Sequence, residues 1–520
     1  MFTGPEGRIM VMRSEVERAL SDVDDLVVDL MNRHASPGLS LAVVHDGEVV
    51  HLKGYGLADV TTGRAVTPDT VFRIGSTSKT MTAIALMQLW EAGRFDLDDP
   101  VAAHLTSYQL HQPRGTRPVT IRDMLTHTSG SGEGRNHGDL VRPGHGLGIP
   151  EGQVIPPLRD WYPKGLRTEV EPGHKWAYAN HAVATLGQVV EDVSGVPFAS
   201  YVRDNIFTPL GMDHSDFERN DRVRDQLAVG YGTKRGRFGP VPYQHIVPEA
   251  AGSVYSSARD MTRYMTALMH GGSNDAGTVL KPESLERMYL PLWQIDPRLF
   301  SMGVLFMLDS LNGHRVVHHG GGWKGFVTMM RVAPDDKVGV FAVTNSNAGS
   351  SWHIADVLLR RILDVPQVGE DLPRPGILER PDRWGDLVGV YKPPPGPLTN
   401  ARIFAAYGNQ IEILAHDGKL HAQALRGTLK SPVRLYPTDP TDPLLFTAKV
   451  WHGPRPVEAK FLFEVDENGR AVALRGEDDL PFQLYRAPDW RNMRNVGKVV
   501  AGATVATVGA AGLRRLRPRR

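Results

Sequence analysis

The chain has 520 residues, 41% of them hydrophobic, which is typical of a globular protein with two to four domains. Its 59 lysines and arginines nearly balance 58 aspartates and glutamates, so no overall basic field exists to hold a nucleic acid. The absence of cysteine excludes disulfides, thiol nucleophiles and cysteine metal ligands. We expect no cofactor and no metal.

The first part of the chain predicts a helix, an antiparallel hairpin and a buried helix, in that order. Residues 14–34 carry apolar side chains at helical spacing. Strand-like runs follow at 39–44, 48–53 and 70–73. Asp46-Gly47 separates the first two runs and is a strong hairpin signal. Residues 80–90 are apolar almost all round, which predicts a helix buried in the middle of a domain, here named the central helix.

The next part of the chain predicts helices first and strands afterwards. Helices are predicted at 120–126, 181–193, 197–206, 257–270 and 351–363, and strands at 302–308, 315–318, 326–332 and 338–344. Residues 129–173 are rich in Gly, Pro, His and Arg without periodicity, which indicates a wall or lid of a pocket. Strands at both ends with helices between them predict an α+β domain with one sheet built from both ends.

The composition changes after residue 365. A proline-rich linker is predicted at 366–383 and an all-β domain, a small barrel or sandwich, at 384–488. Its strands are predicted at 387–391, 401–407, 410–415, 420–425, 433–436, 444–450, 459–465, 471–475 and 482–485. The predicted domains are therefore an extension at 1–13, an α+β domain at 14–365, the linker, the β domain and a tail at 489–520.

The two ends of the chain bear on its location. Residues 1–8 lack a basic start followed by an apolar run, which argues against a secretory signal and favours the cytoplasm. Residues 499–513 form an Ala-, Gly- and Val-rich run followed by arginines, shorter than the roughly 20 apolar residues of a spanning helix. This tail is interpreted as disordered or loosely helical, with a weak peripheral membrane contact as one option and a solvated charge run as the other.

A serine and a lysine stand at the start of the central helix. Ser76 and Lys79 are three residues apart and so share one helical face, next to unpaired amides and the positive end of the helix dipole. A weak nucleophile, a base and anion-stabilising donors in one place are what acyl transfer needs. The same spacing also arises by chance in many proteins, so the pair needs support from the rest of the chain.

Two further stretches supply that support. Tyr178 and Asn180 lie just before a predicted helix, and residues 318–326 read His-His-Gly-Gly-Gly-Trp-Lys-Gly-Phe at the junction of two strands. Taken alone, Tyr178 could equally be a tyrosine that packs in the core, and the glycines at 320–322 could equally form a turn.

Taken together and in order, these stretches resemble the serine β-lactamase and penicillin-binding protein superfamily, in the branch of class C β-lactamases, family VIII esterases and D-amino-acid peptidases. The matching sequences are FRIGSTSK at 72–79, LTHTSG at 125–130, Tyr178-Ala179-Asn180, AGSVYSSARD at 251–260 and His319-Gly320-Gly321. The resemblance covers residues 14–365 and implies a β-lactamase/transpeptidase-like fold. The β domain resembles the lipocalin-like barrels that follow this fold in some relatives.

The resemblance also implies roles for individual residues. Ser76 would form the acyl-enzyme, and Lys79 with Tyr178 would act as a coupled base, with either one holding the proton. Asn180 would position the substrate. The amides of Ser76 and Gly322 would form the oxyanion hole, with Gly321 and Gly322 allowing a close backbone approach.

His319 departs from the pattern of relatives that target penicillin, which commonly carry a lysine there to meet a carboxylate. A histidine is mostly neutral at pH 7. We therefore expect a serine hydrolase of esters or amides, either an esterase or a D-amino-acid-type peptidase with weak β-lactam hydrolysis. The alternatives are a β-lactamase or DD-peptidase proper, and a non-catalytic binding protein. The expected partner is a small-molecule or peptide substrate; oligomeric state stays open.

Overall fold

The computed structural model describes residues 11–141, 146–234, 237–374, 376–377 and 379–494. The chain forms two compact units. The first contains residues 1–370 with two later segments, 396–399 and 451–456, and the second contains the remaining residues from 371 onward. The predicted domain boundaries stay predictions. The predicted tail beyond residue 494 lies outside the described residues.

A nine-stranded sheet organises the first unit. Its strand order is Trp293–Gln294, Ser301–Met302, Met307–Leu311, His314–Trp323, Phe326–Ala333, Val338–Thr344, Gly38–His45, Glu48–Asp59 and Arg64–Ala65. The strand Gly38–His45 pairs antiparallel with Val338–Thr344, so the two ends of the domain meet in the middle of the sheet. This confirms the prediction of an α+β domain with one antiparallel sheet and a helical insertion.

Helices of the first unit lie at Arg13–Ala19, Val23–Arg33, Ser78–Glu91, Ile121–Leu125, Leu158–Trp161, Asn180–Ser194, Phe198–Val202, Ala258–Met269, Pro282–Met288 and Ser350–Ile362. Short strand pairs join Val71–Arg73 to Tyr255–Ser257, Gly148–Pro150 to Gln244–Ile246, Leu110–His111 to Leu166–Arg167, and Tyr231–Lys234 to Arg237–Pro240. Tight helical turns lie at Gly75–Thr77, Val101–Ala103, His137–Val141 and Glu249–Ala251, and a wider π-helical turn lies at Arg203–Phe207.

The central helix, Ser78–Glu91, is buried on all sides. Every residue from Ser78 to Met87 is buried, and the helix packs against Asn180–Ser194 and the turn Glu249–Ala251. A helix without a polar face must be enclosed by other elements, as the sequence predicts. The burial fixes the position of its first turn, where Lys79 lies, directly after the turn Gly75–Thr77 that carries Ser76.

The second unit is mainly β, with a nine-stranded sheet and the short helices Trp384–Leu387 and Ala401–Tyr407. Its strand order is Val433–Arg434, Lys419–Ala424, Ile411–His416, Gly389–Lys392, Leu480–Ala487, Ala471–Asp478, Arg455–Val465, Leu445–His452 and Tyr436–Pro437. The first and last strands of this order are separated in the chain by Leu435 alone, so the sheet closes almost completely into a barrel. The interior is filled by side chains, among them the buried rings Tyr391, Phe446, Phe461, Phe463 and Phe482. A barrel packed in this way has a core rather than a ligand cavity.

Four predicted elements are wrong in detail, one of them the predicted strand 433–436, which is the two strands Val433–Arg434 and Tyr436–Pro437. Residues 14–34 form two helices, because the first ends at Ala19 and the chain turns before Val23. The predicted strand 302–308 is two strands, Ser301–Met302 and Met307–Leu311, of which the second turns back on the first. The predicted strand 401–407 is the helix Ala401–Tyr407: alanines favour a helix, and Gly408, with φ 71°, ends it.

The described helices can be compared with the requirements for a membrane-spanning helix. Within residues 11–494, apart from the short gaps given above, no helix combines the length and the apolar character needed to cross a membrane. The tail on which the predicted peripheral contact depends lies outside these residues.

Candidate active site

The tight turn Gly75–Thr77 carries Ser76 and is held by its neighbours. The Ser78 hydroxyl donates to the Gly75 carbonyl at 2.5 Å and accepts from the Val254 amide at 3.1 Å. Thr77 donates to the His319 carbonyl at 3.2 Å, which ties the turn to the neighbouring strand. Ser76 itself keeps partial exposure, so the turn presents its hydroxyl from an otherwise buried frame.

Lys79 is fully buried and joins three parts of the chain. Its ammonium Nζ donates to Ser76 Oγ at 3.0 Å, to Asn180 Oδ1 at 2.8 Å and to the Ala251 carbonyl at 2.6 Å. A buried lysine that is oriented by fixed acceptors lies within proton-transfer distance of the serine hydroxyl. The structure therefore brings Ser76, Lys79 and Asn180 together, as the sequence predicts.

Tyr178 lies over the lysine. Lys79 Nζ is 4.9 Å from the centre of the Tyr178 ring, and that ring is 5% exposed. The His127 ring also packs against the Tyr178 ring, with 4.4 Å between the ring centres. His127 Nδ1 accepts a hydrogen bond from the Ala179 amide at 3.3 Å. The histidine thus holds both the ring and the backbone of the Tyr-Ala-Asn segment.

The glycine-rich strand approaches the serine turn backbone to backbone. A Cβ on Gly321 would lie 1.9 Å from the Ile74 carbonyl oxygen and 3.0 Å from the Ser76 nitrogen. A Cβ on Gly75 would lie 2.5 Å from the Gly322 nitrogen. The amides predicted to form an oxyanion hole therefore lie in the same small region. Close approach requires glycine at Gly321 but not at Gly322, where a Cβ would meet nothing nearer than 3.9 Å.

His319 is 1% exposed, and its ring lies 6.4 Å from the ring of Tyr178. Its Nδ1 lies 2.6 Å from the Gly320 carbonyl oxygen. Because a carbonyl can only accept, Nδ1 carries the proton in this hydrogen bond. In the neutral ring Nε2 is then a hydrogen-bond acceptor, and it becomes a donor only when the imidazole is protonated.

Sequence reasoning missed several residues that support the site. Arg73 is buried and donates to the Gln244 carbonyl at 2.7 Å, and the Trp323 indole donates to the same oxygen at 3.3 Å. This carbonyl joins the strand before Ser76 to the end of the strand that contains Gly322. The Ala251 carbonyl, which holds Lys79, lies in the 251–260 stretch, whose sequence gave no sign of this role.

Two titratable residues next to residues of the site have strongly shifted pKa values. Burial lowers the pKa of His181, the residue after Asn180, to about 3, so this ring is neutral across the physiological range. Burial, reinforced by the charges of Glu191, Glu218 and Asp216, raises the pKa of Glu249 to about 8. Glu249 begins the turn that supplies the Ala251 carbonyl to Lys79.

The raised pKa of Glu249 predicts a pH-dependent stability. The native protein keeps this proton up to about pH 8, whereas the unfolded chain loses it near 4.5, so the free energy of unfolding should fall as pH rises between these values. At about 1.4 kcal/mol per pH unit, Glu249→Gln should remove up to about 3 kcal/mol of that fall between pH 5.5 and 8. Melting temperatures of both proteins at the two pH values measure it. The exposed Glu283→Gln is the control, and an equal pH slope in wild type and Glu249→Gln would contradict the prediction.

The arrangement has the parts of a serine-centred acyl-transfer site: a hydroxyl, an adjacent buried amine, a phenol and converging backbone amides. Among the described residues, no group of three or more His, Asp or Glu side chains is placed to hold a metal ion.

Comparisons with known proteins show the family to which this chain belongs. The family model described as Beta-lactamase matches residues 23–363. Penicillin-binding protein 4 of Amycolatopsis lactamdurans is 30% identical over 70% of this chain and 95% of its own length. The putative penicillin-binding protein PbpX of Bacillus subtilis is 32% identical over 53% of this chain, and the chain spans 63% of that protein, less than two thirds of it.

A solved structure extends the likeness beyond the first unit. The octameric penicillin-binding protein homologue from Pyrococcus abyssi aligns over 89% of this chain and 99% of its own, with a TM-score of 0.59 and 23% identity, which shows a common fold. The family model covers well over half of the 520 residues. This chain belongs to the β-lactamase family.

Proposed function

We propose that this chain is a serine hydrolase that cleaves esters or amides through an acyl-enzyme on Ser76. The observation that carries the proposal is the distance of 3.0 Å between Lys79 Nζ and Ser76 Oγ, within a buried site whose lysine is fixed by two further acceptors. A serine hydroxyl needs such a neighbour because its own pKa is far above neutral.

In the proposed reaction Ser76 Oγ attacks the substrate carbonyl carbon and its proton passes to the Lys79–Tyr178 pair. The negative oxygen of the tetrahedral intermediate accepts from the amides of Ser76 and Gly322. The pair then gives the proton to the leaving alcohol or amine as the bond to the carbonyl carbon breaks. Water hydrolyses the acyl-enzyme by the same steps, and Asn180 positions the substrate.

We propose an esterase or a D-amino-acid-type peptidase rather than a specialist for β-lactams. Penicillin-type substrates carry a carboxylate, which needs a cation or a hydrogen-bond donor. A histidine is mostly neutral at pH 7, so His319 is a weaker partner for that carboxylate than the lysine common in penicillin-targeting relatives. The names of the relatives, penicillin-binding proteins, keep a β-lactamase or DD-peptidase as the second candidate.

The test is a substrate panel with a covalent probe. p-Nitrophenyl acetate and butyrate, a D-alanyl amide and nitrocefin should be compared in wild type and Ser76→Ala, and a fluorophosphonate should add once, at Ser76, as shown by mass spectrometry. We expect Ser76-dependent turnover of an ester or the amide and slow turnover of nitrocefin. Equal rates in wild type and Ser76→Ala on every substrate, or an adduct elsewhere, would contradict the proposal. If nitrocefin is the best substrate, the result favours the second candidate, a β-lactamase or DD-peptidase. If no substrate is turned over, the result favours a non-catalytic binding protein.

A further inference from the structure

A row of aromatic rings begins at Tyr178 and crosses three separate segments of the first unit. The Trp176 ring lies 6.1 Å from Tyr178, 5.5 Å from Phe300 in an edge-to-face arrangement, and 6.4 Å from Trp293. Trp176 precedes the helix Asn180–Ser194, Trp293 lies on the edge strand of the large sheet, and Phe300 directly precedes the next strand. We name Trp176, Trp293 and Phe300 the aromatic wall.

The exposure of the wall increases away from the phenol. Tyr178 is 5% exposed, Trp176 8% and Phe300 7%, whereas Trp293 is only partly buried. Trp176 Nε1 is buried and has no hydrogen-bond partner among the described residues. A buried indole N–H usually finds an acceptor, so an oxygen of a bound molecule is a suitable partner.

The wall carries no net charge. Arg298, between Trp293 and Phe300, makes a two-pronged pair with Asp296, with Nε to Oδ1 at 2.9 Å and Nη2 to Oδ2 at 3.0 Å. The chain between Trp293 and Phe300 therefore carries a paired acid and base. Flat aromatic surface without net charge favours an uncharged apolar or aromatic group, which it removes from water.

The chemistry of the proposed reaction places the wall on the leaving-group side. The group that accepts the Ser76 proton must return it to the departing alcohol or amine, so Tyr178 and Lys79 lie beside the leaving group. Trp176 contacts Tyr178, and the other two rings extend the same surface.

We propose that the aromatic wall selects esters and amides whose leaving group is uncharged and apolar, preferably aromatic. This rests on the proposed function. Trp176, Trp293 and Phe300 are then specificity-determining residues for the departing half of the substrate, and the Trp176 indole donates to an oxygen of that half.

The test uses benzyl and methyl esters of one acyl group, with the corresponding amides as a second pair. Both members of a pair form the same acyl-enzyme, so deacylation is common to them and the ratio of their kcat/KM values reports on the leaving group alone. We expect wild type to prefer the benzyl substrate by about tenfold or more, since burial of an aromatic ring contributes on that scale. Trp293→Ala should lower the benzyl-to-methyl ratio about fivefold to tenfold, and Trp293→Phe should restore most of it.

Two further variants separate specificity from folding. Trp90→Ala removes a partly buried tryptophan at the far end of the central helix, about 16 Å along the helix axis from Lys79, and should leave the ratio unchanged. Trp176→Phe keeps a ring but removes the indole N–H, and should raise KM more than it lowers kcat.

The outcomes distinguish this inference from the proposed function. Ester cleavage that is equally fast in Ser76→Ala overturns the proposed function and the inference with it. Ser76-dependent cleavage that does not favour the benzyl ester, or a ratio that survives Trp293→Ala, overturns the aromatic wall alone.

Discussion

Replacing Lys79 by methionine should lower kcat/KM by about 10³-fold on whichever ester or amide the wild type cleaves. Methionine fills similar space but supplies neither a proton acceptor nor a charge, and a positioned base contributes about 10²–10⁴. The Asn180 and Ala251 oxygens lose a hydrogen-bond donor, and each loss lowers the free energy of unfolding by about 1–3 kcal/mol. Removal of the buried lysine charge offsets part of this loss. Steady-state kinetics and the rate of fluorophosphonate labelling measure the effect.

The chain offers a matched control for that experiment. Lys175 is also buried, 4% exposed, and burial lowers its pKa to about 8, which makes it a competing candidate for the base on titration behaviour alone. We expect Lys175→Met to change kcat/KM by less than about fivefold, because the base must lie within hydrogen-bond reach of the serine and Lys79 Nζ is placed 3.0 Å from Ser76 Oγ. A larger loss in Lys175→Met than in Lys79→Met would contradict the assignment of Lys79.

Gly321→Ala is expected to damage both activity and stability. The new Cβ would lie 1.9 Å from the Ile74 carbonyl oxygen, a backbone atom that cannot move without shifting the Ser76 turn. Loss of one oxyanion donor typically costs about 10²–10³ in kcat, and forced overpacking about 1–3 kcal/mol of stability. We therefore expect kcat to fall at least 10²-fold and the melting temperature by several degrees.

The neighbouring glycine provides the comparison. Gly322→Ala keeps its amide and places its Cβ in ordinary contact, 3.9 Å from the Phe326 carbonyl oxygen, so its melting temperature should stay within about a degree of the wild type. Circular dichroism melts of the two variants, with kcat measured on one ester, check both expectations. An equal fall in melting temperature in the two variants would show that the close backbone approach at Gly321 does not determine which substitutions this strand tolerates.

The fold was predictable where the pattern was strong. The apolar run 80–90 and the strands around Asp46-Gly47 carry signals that local packing cannot easily reverse, and they hold in the structure. The helix Ala401–Tyr407 was predicted as a strand, because a seven-residue segment with Ile403 and Phe404 fits either period. Its alanines favour a helix and Gly408 ends it. In the sequence these signals are weaker than the strand preference of Ile403 and Phe404.

Three residues that meet in the candidate site were recognisable in the sequence, but the groups that support them were not. Ser76, Lys79 and Asn180 lie in recognisable motifs, and the structure joins them by hydrogen bonds of Lys79 Nζ to Ser76 Oγ and to Asn180 Oδ1. The Ala251 carbonyl and the Gln244 carbonyl are main-chain atoms, which leave no mark on residue identity. The aromatic wall depends on tertiary contacts between residues more than 100 positions apart, which no local pattern encodes.

The pairing of Gly38–His45 with Val338–Thr344 has a consequence for biosynthesis. At about 5–20 residues per second, a ribosome needs roughly 15–60 seconds to reach the second strand after making the first. Throughout that time the hairpin strand lacks its neighbour, and the Ser76 turn lacks the His314–Trp323 strand against which it packs. One edge of the sheet is therefore open on the nascent chain during that time, and the candidate site is complete only after the last strands of this sheet emerge.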